Sequence, residues 1–391
     1  MHGSLGTPGR PLYFLHVPKT AGSAFTRMLD DAFPVGTRVP AEYYAGLGGT
    51  PLAEALQGRG VLAGHFGLRP LDLAPLTTIT VLREPAARAW SHFRYMAEHG
   101  REHTFESFLA HPLEGLGARD YQARWLGTPS AERFPDGEPA IAYLPTTPAG
   151  GHGAPPPSAL ERAAAATLAS CALVGTAERL PETLDALGRL LGRRLAPPPR
   201  VNATRDARPL PPAVAARVRA LSPIDLRLYA EAGRRLDRAL AELPPLPPEP
   251  LVHLPFAQGM EAGLHGTGFH RRTHAPGAGW HRWTGPGRVS AIRLPVRLAG
   301  PATLTLAVLS ACDDDAVRSL RLTVQDAPVA HRLEAPPDGP GVLAVAEVTL
   351  DPARPLTVAA EVAHTRPLTD PATGERSPDP AGLALGTLAF R

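Results

Sequence analysis

The first half of the chain repeats one pattern, in which a short apolar run leads through a turn into a helical segment. The apolar runs cover residues 11–17, 60–66, 77–82 and 171–175. Short apolar runs bounded by turn residues are typical of buried strands. Because strands that alternate with helices form parallel sheets, residues 1–243 are predicted to form an α/β domain, a parallel sheet flanked by helices.

Capping residues predict where several helices begin and end. Ser23 is expected to cap the first helix, and Ser222 the long helix that begins at Pro223. Pro85 stands at the first position of the helix after 77–82, because proline is favoured there. Gly100 is expected to end that helix.

The pattern changes after residue 243. The tract 244–250, PPLPPEP, reads as a stiff linker. Apolar and polar residues then alternate in 302–309, 320–324 and 356–362, between clusters of Pro, Gly and Asp. Short strands at this spacing predict a C-terminal β-sandwich domain over residues 251–391.

The basic residues of this 391-residue chain are strongly biased towards arginine. Of its 40 Lys and Arg residues only Lys19 is a lysine, and Asn202 is the only asparagine. GC-rich codon usage explains the bias, and a lysine that persists under it is a candidate for a position where arginine does not fit. A lysine ammonium is compact, whereas a guanidinium is a broad planar fork.

Composition also limits the partners and the compartment. The net charge is +3 and no basic stripe stands out, so no nucleic-acid partner is expected. Cys171 and Cys312 lie far apart, which indicates neither a disulfide framework nor a zinc site, and we expect no metal. Without an apolar run of 18 residues or a signal-peptide pattern, we expect no membrane span and a cytoplasmic protein.

The first motif is PKTAGS, residues 18–23, between the first strand and its helix. Small residues let successive backbone amides face an anion, and the helix N-terminus adds partial positive charge. The motif is not a Walker A loop, because its lysine precedes its glycine. The sequence leaves two interpretations open, a phosphate cradle or an ordinary turn carrying a surface lysine.

The second motif is REPAARAWS, residues 83–91. Arg83 falls at the carboxyl end of a strand, where ligands bind in open α/β sheets. It can hold a phosphate by paired hydrogen bonds, with the Ser91 hydroxyl adding another. The alternative is that Arg83 pairs with Glu84 or Asp72 and that Ser91 is helix surface.

Together with Gly64-His65-Phe66, these motifs resemble the carbohydrate sulfotransferases related to heparan and uronyl 2-O-sulfotransferases and their bacterial relatives. The resemblance extends more weakly through 173–180 and 201–204 to 225–229, and covers about residues 11–240. Glu84 stands where that family commonly has Asp. The implied donor is 3'-phosphoadenosine 5'-phosphosulfate, and the implied acceptor is a hydroxyl of a saccharide or glycoconjugate.

The resemblance also implies roles for particular residues. Lys19 would neutralise the leaving phosphate, and His65 would be the general base, a role that a neutral imidazole suits. Arg83 and Ser91 would bind the 3'-phosphate, and Asn202 would touch the nucleotide or brace the site. The 5'-phosphate would contact the turn and the start of its helix, at Thr20, Ala21, Gly22, Ser23 and Ala24.

Several of these residues have structural alternatives. His65 can be a core or surface histidine, since the chain has 15 of them. Gln122 and Arg124 can contact a ligand or belong to an ordinary amphipathic helix. The run 313–315, three aspartates, invites a metal interpretation, but a solvated turn with no ligand set around it is favoured.

The C-terminal segment resembles β-sandwich modules appended to some bacterial glycosyltransferases, in residues 279–286 and 377–385. Trp280 and Trp283 there can stack on sugar, but at least one of them is expected to be a core residue. Two further functions stay open, a nucleoside triphosphate-dependent kinase on a related fold and a non-enzymatic saccharide-binding protein. The sequence leaves the acceptor, the oligomeric state and the role of loop 145–158 open.

Overall fold

The computed structural model describes residues 5–39, 54, 56–65, 67–68, 71, 75–100, 104–111, 114–127, 156–197, 208–277, 279–337, 339–369 and 376–391. They form two compact units. The first unit consists of Met1–Arg27, Gly36–Gly192 and Arg200–Pro245, and the second of Met28–Val35, Arg193–Pro199 and Leu246–Arg391.

The first unit is a mixed α/β structure around a four-stranded sheet. Its strands are β1 (Leu12–Leu15), β2 (Val61–Gly64), β3 (Thr77–Leu82) and β4 (Leu173–Thr176). Their order in the sheet is β2-β1-β3-β4, and every neighbouring pair runs parallel. The predicted parallel sheet is therefore confirmed, and each of the four strands overlaps its apolar run.

Helices connect and flank these strands. Residues 5–245 contain α1 (Gly22–Ala32), α2 (Pro85–Glu98), α3 (Phe105–Ala110), α4 (Tyr121–Gly127), α5 (Pro157–Ser170), α6 (Leu180–Leu191), α7 (Pro212–Leu221) and α8 (Pro223–Glu242), with short 3-10 turns at Glu114–Ala118 and Ala177–Arg179. Helix α2 begins at Pro85, as predicted, and ends two residues before Gly100. Its first turn is capped by the carboxylate of Glu84, which accepts from the Ala87 amide at 2.8 Å.

The predicted cap of α8 is wrong. Ser222 does precede the helix, but its hydroxyl donates to the carbonyl of Ala118 at 3.1 Å. The first amides of α8, those of Ile224 and Asp225, donate instead to Oδ1 of Asp120, at 2.8 and 2.9 Å. A carboxylate from a distant segment thus satisfies the orphan donors of the helix start.

The core of the first unit lies between the sheet and its helices. All four residues of β1 and all four of β2 are buried, as expected for parallel strands covered on both faces. Tyr13 and Leu15 from β1 belong to one apolar cluster with Trp125 of α4 and Leu228 of α8. This packing fixes the carboxyl ends of the strands relative to α4 and α8.

The second unit contains antiparallel sheets. The strands are β5 (Phe256–Gln258), β6 (His265–Thr267), β7 (Phe269–Ala275), β8 (Gly279–Thr284), β9 (Val289–Arg293), β10 (Gly300–Ala311), β11 (Arg321–Val324), β12 (Ala327–Val329), β13 (Arg332–Glu334), β14 (Val342–Leu350), β15 (Thr357–Glu361), β16 (Arg366–Thr369), β17 (Arg376–Ala381) and β18 (Leu383–Phe390), with a short helix α9 (Asp314–Arg318) after β10. They form a seven-stranded sheet, β13-β14-β10-β18-β8-β7 with β5 on β18, a five-stranded sheet, β12-β11-β15-β9-β6, and the pair β16-β17.

The alternating segments of the sequence form strands β10, β11 and β15, as predicted. In β10 burial alternates along the strand, so one face points to the core and the other to solvent. Leu304 and Leu306 of β10 share one apolar core with Ile292 of β9, Leu322 of β11 and Val358 of β15. The apolar faces of the two large sheets therefore pack in a common core.

The two C-terminal segments singled out in the sequence lie on neighbouring strands. Strand β8 carries Trp280 and Trp283, and it pairs with β18, where Ala384 lies opposite Trp283. Trp280 packs against the core, as expected for at least one of the two tryptophans. Trp283 is partly buried.

Residues 244–250 form neither helix nor strand. Within the described parts of the chain, no helix combines the length and the apolar character that crossing a bilayer requires.

Candidate active site

Three of the predicted site segments meet at one edge of the parallel sheet. His65 directly follows β2, the turn containing Lys19 follows β1, and Arg83 follows β3. Because β1 lies between β2 and β3, with Leu15 opposite Gly64, these segments are neighbours at the carboxyl ends of the strands. Ligands of open α/β sheets bind at this edge.

The turn after β1 has an unusual backbone. Lys19 and Ala21 have positive φ angles of 68° and 67°, a left-handed conformation that is uncommon for residues other than glycine. Between them Thr20 is buried, and its hydroxyl donates to the carbonyl of Val17 at 2.8 Å. Residues that alternate with left-handed ones turn successive amides to the same side and form an anion-binding concavity. The turn therefore shares the alternation of left-handed residues with such concavities.

Helix α1 begins at Gly22, and the predicted cap at Ser23 is wrong. Ser23 lies exposed in the first turn, and the amide of Phe25 donates to the carbonyl of Ala21 at 3.1 Å. A Cβ on Gly22 would overlap the imidazole of His16, so only glycine fits where the turn passes this ring. The first amides of a helix have no intrahelical acceptor, and here they begin directly beside the concavity.

The only lysine of the chain is partly buried in a positively charged environment. Its Nζ lies 4.1 Å from the centroid of the Tyr95 ring on α2, a cation–π contact. Burial lowers the pKa of Lys19, the charges of Arg88 and Arg83 add to this shift and Glu98 opposes it, and the resulting pKa is about 8. A cation held among other cations favours an anionic ligand that would relieve the repulsion.

Arg83 contacts the same turn. Its Nη1 donates to the carbonyl of Lys19 at 3.2 Å, and its Nε lies 3.9 Å from Oε1 of Glu178. The alternative pairing with Glu84 is not seen, since Glu84 caps α2 and forms an ion pair with Arg219 at 2.9 Å. About 30% of the Arg83 side chain is exposed, so the guanidinium can reach a ligand in the concavity.

Gln122 holds the main chain of Arg83. The Arg83 amide donates to Oε1 of Gln122 at 3.0 Å, and Nε2 of Gln122 donates back to the Arg83 carbonyl at 2.8 Å. Gln122 is fully buried, so it serves as a positioning residue and not as a ligand contact. The sequence contained no signal for this role, because the two residues are 39 positions apart. Arg124, which the sequence also offered as a ligand contact, donates from Nε to the carbonyl of Arg119 at 3.0 Å.

Helix α4, which carries Gln122, is fixed by a carboxylate of α8. The amides of Gln122 and Ala123 donate to the buried Asp225, at 3.0 and 2.7 Å. Asp120 caps α8 in return, so α4 and α8 cap each other. Burial raises the pKa of Asp225, the two amides oppose the shift and the neighbouring Asp120 adds to it, and the resulting pKa is about 6. This pair of caps sets the position of Gln122 and, through it, of Arg83.

His65 is oriented by the backbone and by two rings. Its Nδ1 lies 3.1 Å from the carbonyl oxygen of His16, and the His65 and His16 rings stack with centroids 4.0 Å apart. The edge of Trp125 contacts the same imidazole, with centroids 5.9 Å apart. A carbonyl oxygen only accepts, so Nδ1 must carry the hydrogen. In the neutral ring the lone pair is then on Nε2.

Both histidines are held neutral near pH 7. Burial lowers the pKa of His65, its hydrogen bond to the His16 carbonyl opposes the shift and the charge of Lys19 adds to it, and the resulting pKa is about 4. Burial also lowers the pKa of His16 well below its usual value, with contributions from His65 and Lys19. A bound anion would raise the pKa of both rings, because it favours the protonated forms.

Helix α2 brings further residues to the site. Ser91 is partly buried and lies one helical turn before Tyr95, so the two residues share a face of α2. Tyr95 is the ring beneath Lys19, which places Ser91 on the side of α2 that faces the turn. Ala24 is partly buried in the first turn of α1.

The sequence prediction gave no role to Arg88, which proves to be buried beside these residues. Its guanidinium lies 4.0 Å from the centroid of the Tyr121 ring and donates to the carbonyl of Gly117. Burial lowers the pKa of Arg88 to about 10. Its charge acts on Lys19, so it adds to the positive potential of the site.

Some predicted residues lie outside the described part of the chain. These are Asn202, Phe66 and Asp72, together with the weaker motif at 201–204. The same holds for most of the loop 145–158, of which Pro157 and Ser158 belong to α5.

Of the comparisons with known proteins, only the one with solved structures gives a match. No protein-family model matches the chain, and no curated protein matches it. Among solved structures, the chain is similar to a sulfotransferase from Alicyclobacillus acidocaldarius, with 18% identity over 59% of this chain and 98% of the other, and a TM-score of 0.32. At this TM-score the overlap assigns neither a fold nor an activity to this chain.

Proposed function

We propose that this chain is a sulfotransferase. It transfers a sulfuryl group from 3'-phosphoadenosine 5'-phosphosulfate to a hydroxyl of a saccharide or glycoconjugate. The catalytic groups are His65 as general base and Lys19 as the cation that stabilises the leaving phosphate.

One observation carries this proposal. A histidine whose Nδ1 is bonded to a backbone carbonyl, a lysine in a turn with left-handed residues, and Arg83 lie at the ends of three adjacent parallel strands. In-line group transfer requires a base on one side of the transferred group and a cation at the leaving oxygen on the other. The adjacent strands bring a candidate for each group to the same edge of the sheet, which supports the proposal.

The base side of the reaction follows from the tautomer of His65. The acceptor oxygen attacks sulfur while its proton passes to Nε2 of His65, and the bond between sulfur and the bridging phosphate oxygen breaks. The hydrogen bond from Nδ1 to the His16 carbonyl stabilises the imidazolium that forms. The low pKa of His65 keeps the ring neutral before the acceptor binds, and the charge of the donor raises this pKa towards a useful range.

The leaving side of the reaction is assigned to Lys19 and its turn. Negative charge develops on the bridging oxygen and is neutralised by the ammonium of Lys19. The 5'-phosphate is held by Thr20, Ala21, Gly22, Ser23 and Ala24. Since the Thr20 hydroxyl is used inside the turn, the backbone amides make these contacts. Arg83 and Ser91 bind the 3'-phosphate, and Asn202 is retained as a nucleotide contact.

The domain assignment belongs to the same proposal. Residues 1–243 are the catalytic domain, with the sulfotransferase fold, and residues 251–391 form an accessory β-sandwich joined by the linker 244–250. The acceptor class rests on the resemblance of the two phosphate motifs to carbohydrate sulfotransferases.

A transfer assay tests this function. The purified full-length chain is incubated with donor labelled in its sulfuryl group and with a panel of glycosaminoglycans and simpler glycosides, and labelled product is counted. Transfer to at least one saccharide is expected. Tight binding of ATP with magnesium, without transfer from the sulfuryl donor and without affinity for adenosine 3',5'-bisphosphate, would support a kinase and overturn the proposal.

A further inference from the structure

A second group of chemically reactive side chains lies in the antiparallel unit. Cys312 and Asp313 follow β10, and His364 lies between β15 and β16. The sulfur, a carboxylate oxygen and a ring nitrogen of these residues all lie within 4.8 Å of one another, the one such group among the described residues. The sequence analysis placed no ligand set around Asp313, and the fold brings a histidine from 51 positions away beside it.

The geometry points to a site for a divalent cation of the zinc class, bound by Sγ of Cys312, Oδ2 of Asp313 and Nε2 of His364. Thiolate, imidazole and carboxylate are the donors that zinc binds, at about 2.0–2.3 Å. Three protein ligands leave one position of a tetrahedral site for water.

The carboxylate and imidazole lie slightly closer together than two ligands of one cation. Nε2 of His364 lies 2.8 Å from Oδ2 of Asp313. Two ligands bound tetrahedrally at about 2.0 Å are roughly 3.3 Å apart, so the pair needs only a small separation to admit a cation. The other oxygen, Oδ1, accepts from the amide of Ala316 at 2.8 Å, which fixes the carboxylate with Oδ2 towards His364.

The sulfur of Cys312 lies beside two backbone donors. Burial and the charge of Asp313 raise the pKa of Cys312, and the amides of Asp313 and Arg366, which form hydrogen bonds to the sulfur, oppose this shift. Backbone amides in the segments that carry Cys312 and His364 form hydrogen bonds that hold both segments in place. The Cys312 amide donates to the carbonyl of Gly382 at 2.8 Å, and the Ala363 amide donates to Oγ of Ser319 at 3.0 Å.

Arg366 competes for this site. Its Nε lies 3.0 Å from Oδ2 of Asp313, the oxygen that would bind the cation. About 60% of the Arg366 side chain is exposed, so it can turn into solvent when a metal binds. Because its positive charge opposes that of the metal, shortening this side chain is expected to increase metal affinity. This expectation separates a metal site from a purely structural cluster, which would lose stability without gaining affinity for metal.

Cobalt is the probe, because its thiolate complexes absorb light. The full-length protein is freed of metal with a chelator and titrated with Co²⁺. Saturation at one equivalent is expected, with a thiolate-to-cobalt charge-transfer band and the visible bands of tetrahedral coordination, all removed by one equivalent of Zn²⁺. Wild-type protein that shows no such bands at millimolar Co²⁺ would overturn the site.

Variants locate the binding. Cys312→Ser is expected to abolish the charge-transfer band, and His364→Gln to weaken Co²⁺ binding at least tenfold, as even the loss of outer-shell partners does. Cys171→Ser, which alters the other cysteine of the chain, is the matched control and should retain the bands. Arg366→Ala is expected to bind Co²⁺ several-fold more tightly. Unchanged bands in Cys312→Ser, or their loss in Cys171→Ser, would contradict the assignment.

Discussion

Nδ1 of His65 lies 3.1 Å from the main-chain oxygen of His16, and the two imidazole rings stack with centroids 4.0 Å apart. His16 directly follows strand β1. Its ring lies against Gly22 at the start of α1. One buried histidine therefore links the proposed base to the turn after β1. Its carbonyl accepts from Nδ1 of His65, and its ring packs where only glycine fits at position 22.

The first prediction concerns the base. Asparagine at position 65 retains a donor for the His16 carbonyl but has no basic nitrogen. His65→Asn is expected to lower kcat by about 10²–10⁴-fold, as for loss of a general base, with little change in affinity for adenosine 3',5'-bisphosphate. Steady-state kinetics and calorimetry measure the two quantities. His111→Asn, at an exposed histidine, is the control, and kcat within twofold of wild type in His65→Asn would exclude His65 as the base.

The second prediction concerns the only lysine. Lys19→Arg retains the charge, but the guanidinium is too broad for the half-buried place between the turn and Tyr95. It is expected to lower kcat by about 100-fold, the scale of losing one group that stabilises a developing oxyanion. The reverse exchange at an exposed position, Arg217→Lys, should leave kcat unchanged. Near-normal turnover in Lys19→Arg would mean that the single lysine reflects codon usage alone.

The third prediction tests the packing of the turn. Gly22→Ala places a Cβ on the His16 ring and is expected to lower the free energy of unfolding by about 1–3 kcal/mol, as overpacking does. It should also weaken binding of adenosine 3',5'-bisphosphate, because the turn and the His16 carbonyl move together. Gly9→Ala, where a Cβ meets nothing within 4 Å, is the matched control. Equal stability and affinity in Gly22→Ala and Gly9→Ala would contradict the close packing.

The fourth prediction follows from the pKa of Lys19. In the protein without ligand this pKa is about 8, and a bound polyanion raises it. Below pH 8 the lysine is protonated in both states, so it adds no pH dependence. Above pH 8 binding must take up a proton, and affinity for adenosine 3',5'-bisphosphate should fall by up to about tenfold per pH unit.

Calorimetry between pH 7.5 and 9.5, in buffers with different enthalpies of ionisation, measures this uptake. Lys19→Met should bind adenosine 3',5'-bisphosphate more weakly at pH 7.5. It should also lose the part of the pH dependence that comes from protonation of Lys19. Proton uptake equal in Lys19→Met and in the wild type would show that another group is responsible.

Local signals in the sequence predicted the sheet and several helix boundaries. Apolar runs bounded by turns gave all four parallel strands, and Pro85 gave the start of α2, because both depend on residues within a few positions. Ser23 and Ser222 failed as caps for a long-range reason. Helix α1 begins at Gly22, which packs against the His16 ring, and Asp120 replaces Ser222 at α8.

In the candidate site, too, local signals were readable from the sequence and long-range contacts were not. Lys19, His65 and Arg83 could be placed together because strand ends of a parallel sheet share an edge. Gln122 could not, because its function is a pair of hydrogen bonds to a main chain 39 positions away. The contact between His364 and Asp313 was equally inaccessible, since it depends on how two sheet connections meet.

Binding of adenosine 3',5'-bisphosphate, followed by thermal unfolding, tests the central claim most directly. At about 100 times its Kd the ligand stabilises the native state by roughly 2.7 kcal/mol, which corresponds to a rise in Tm of about 5–10 °C for a domain of this size. Adenosine 5'-monophosphate, which lacks the 3'-phosphate, should give a much smaller shift, and Arg83→Gln should reduce the difference between the two ligands. No shift at saturating bisphosphate, or equal shifts with both nucleotides, would contradict the sulfotransferase proposal.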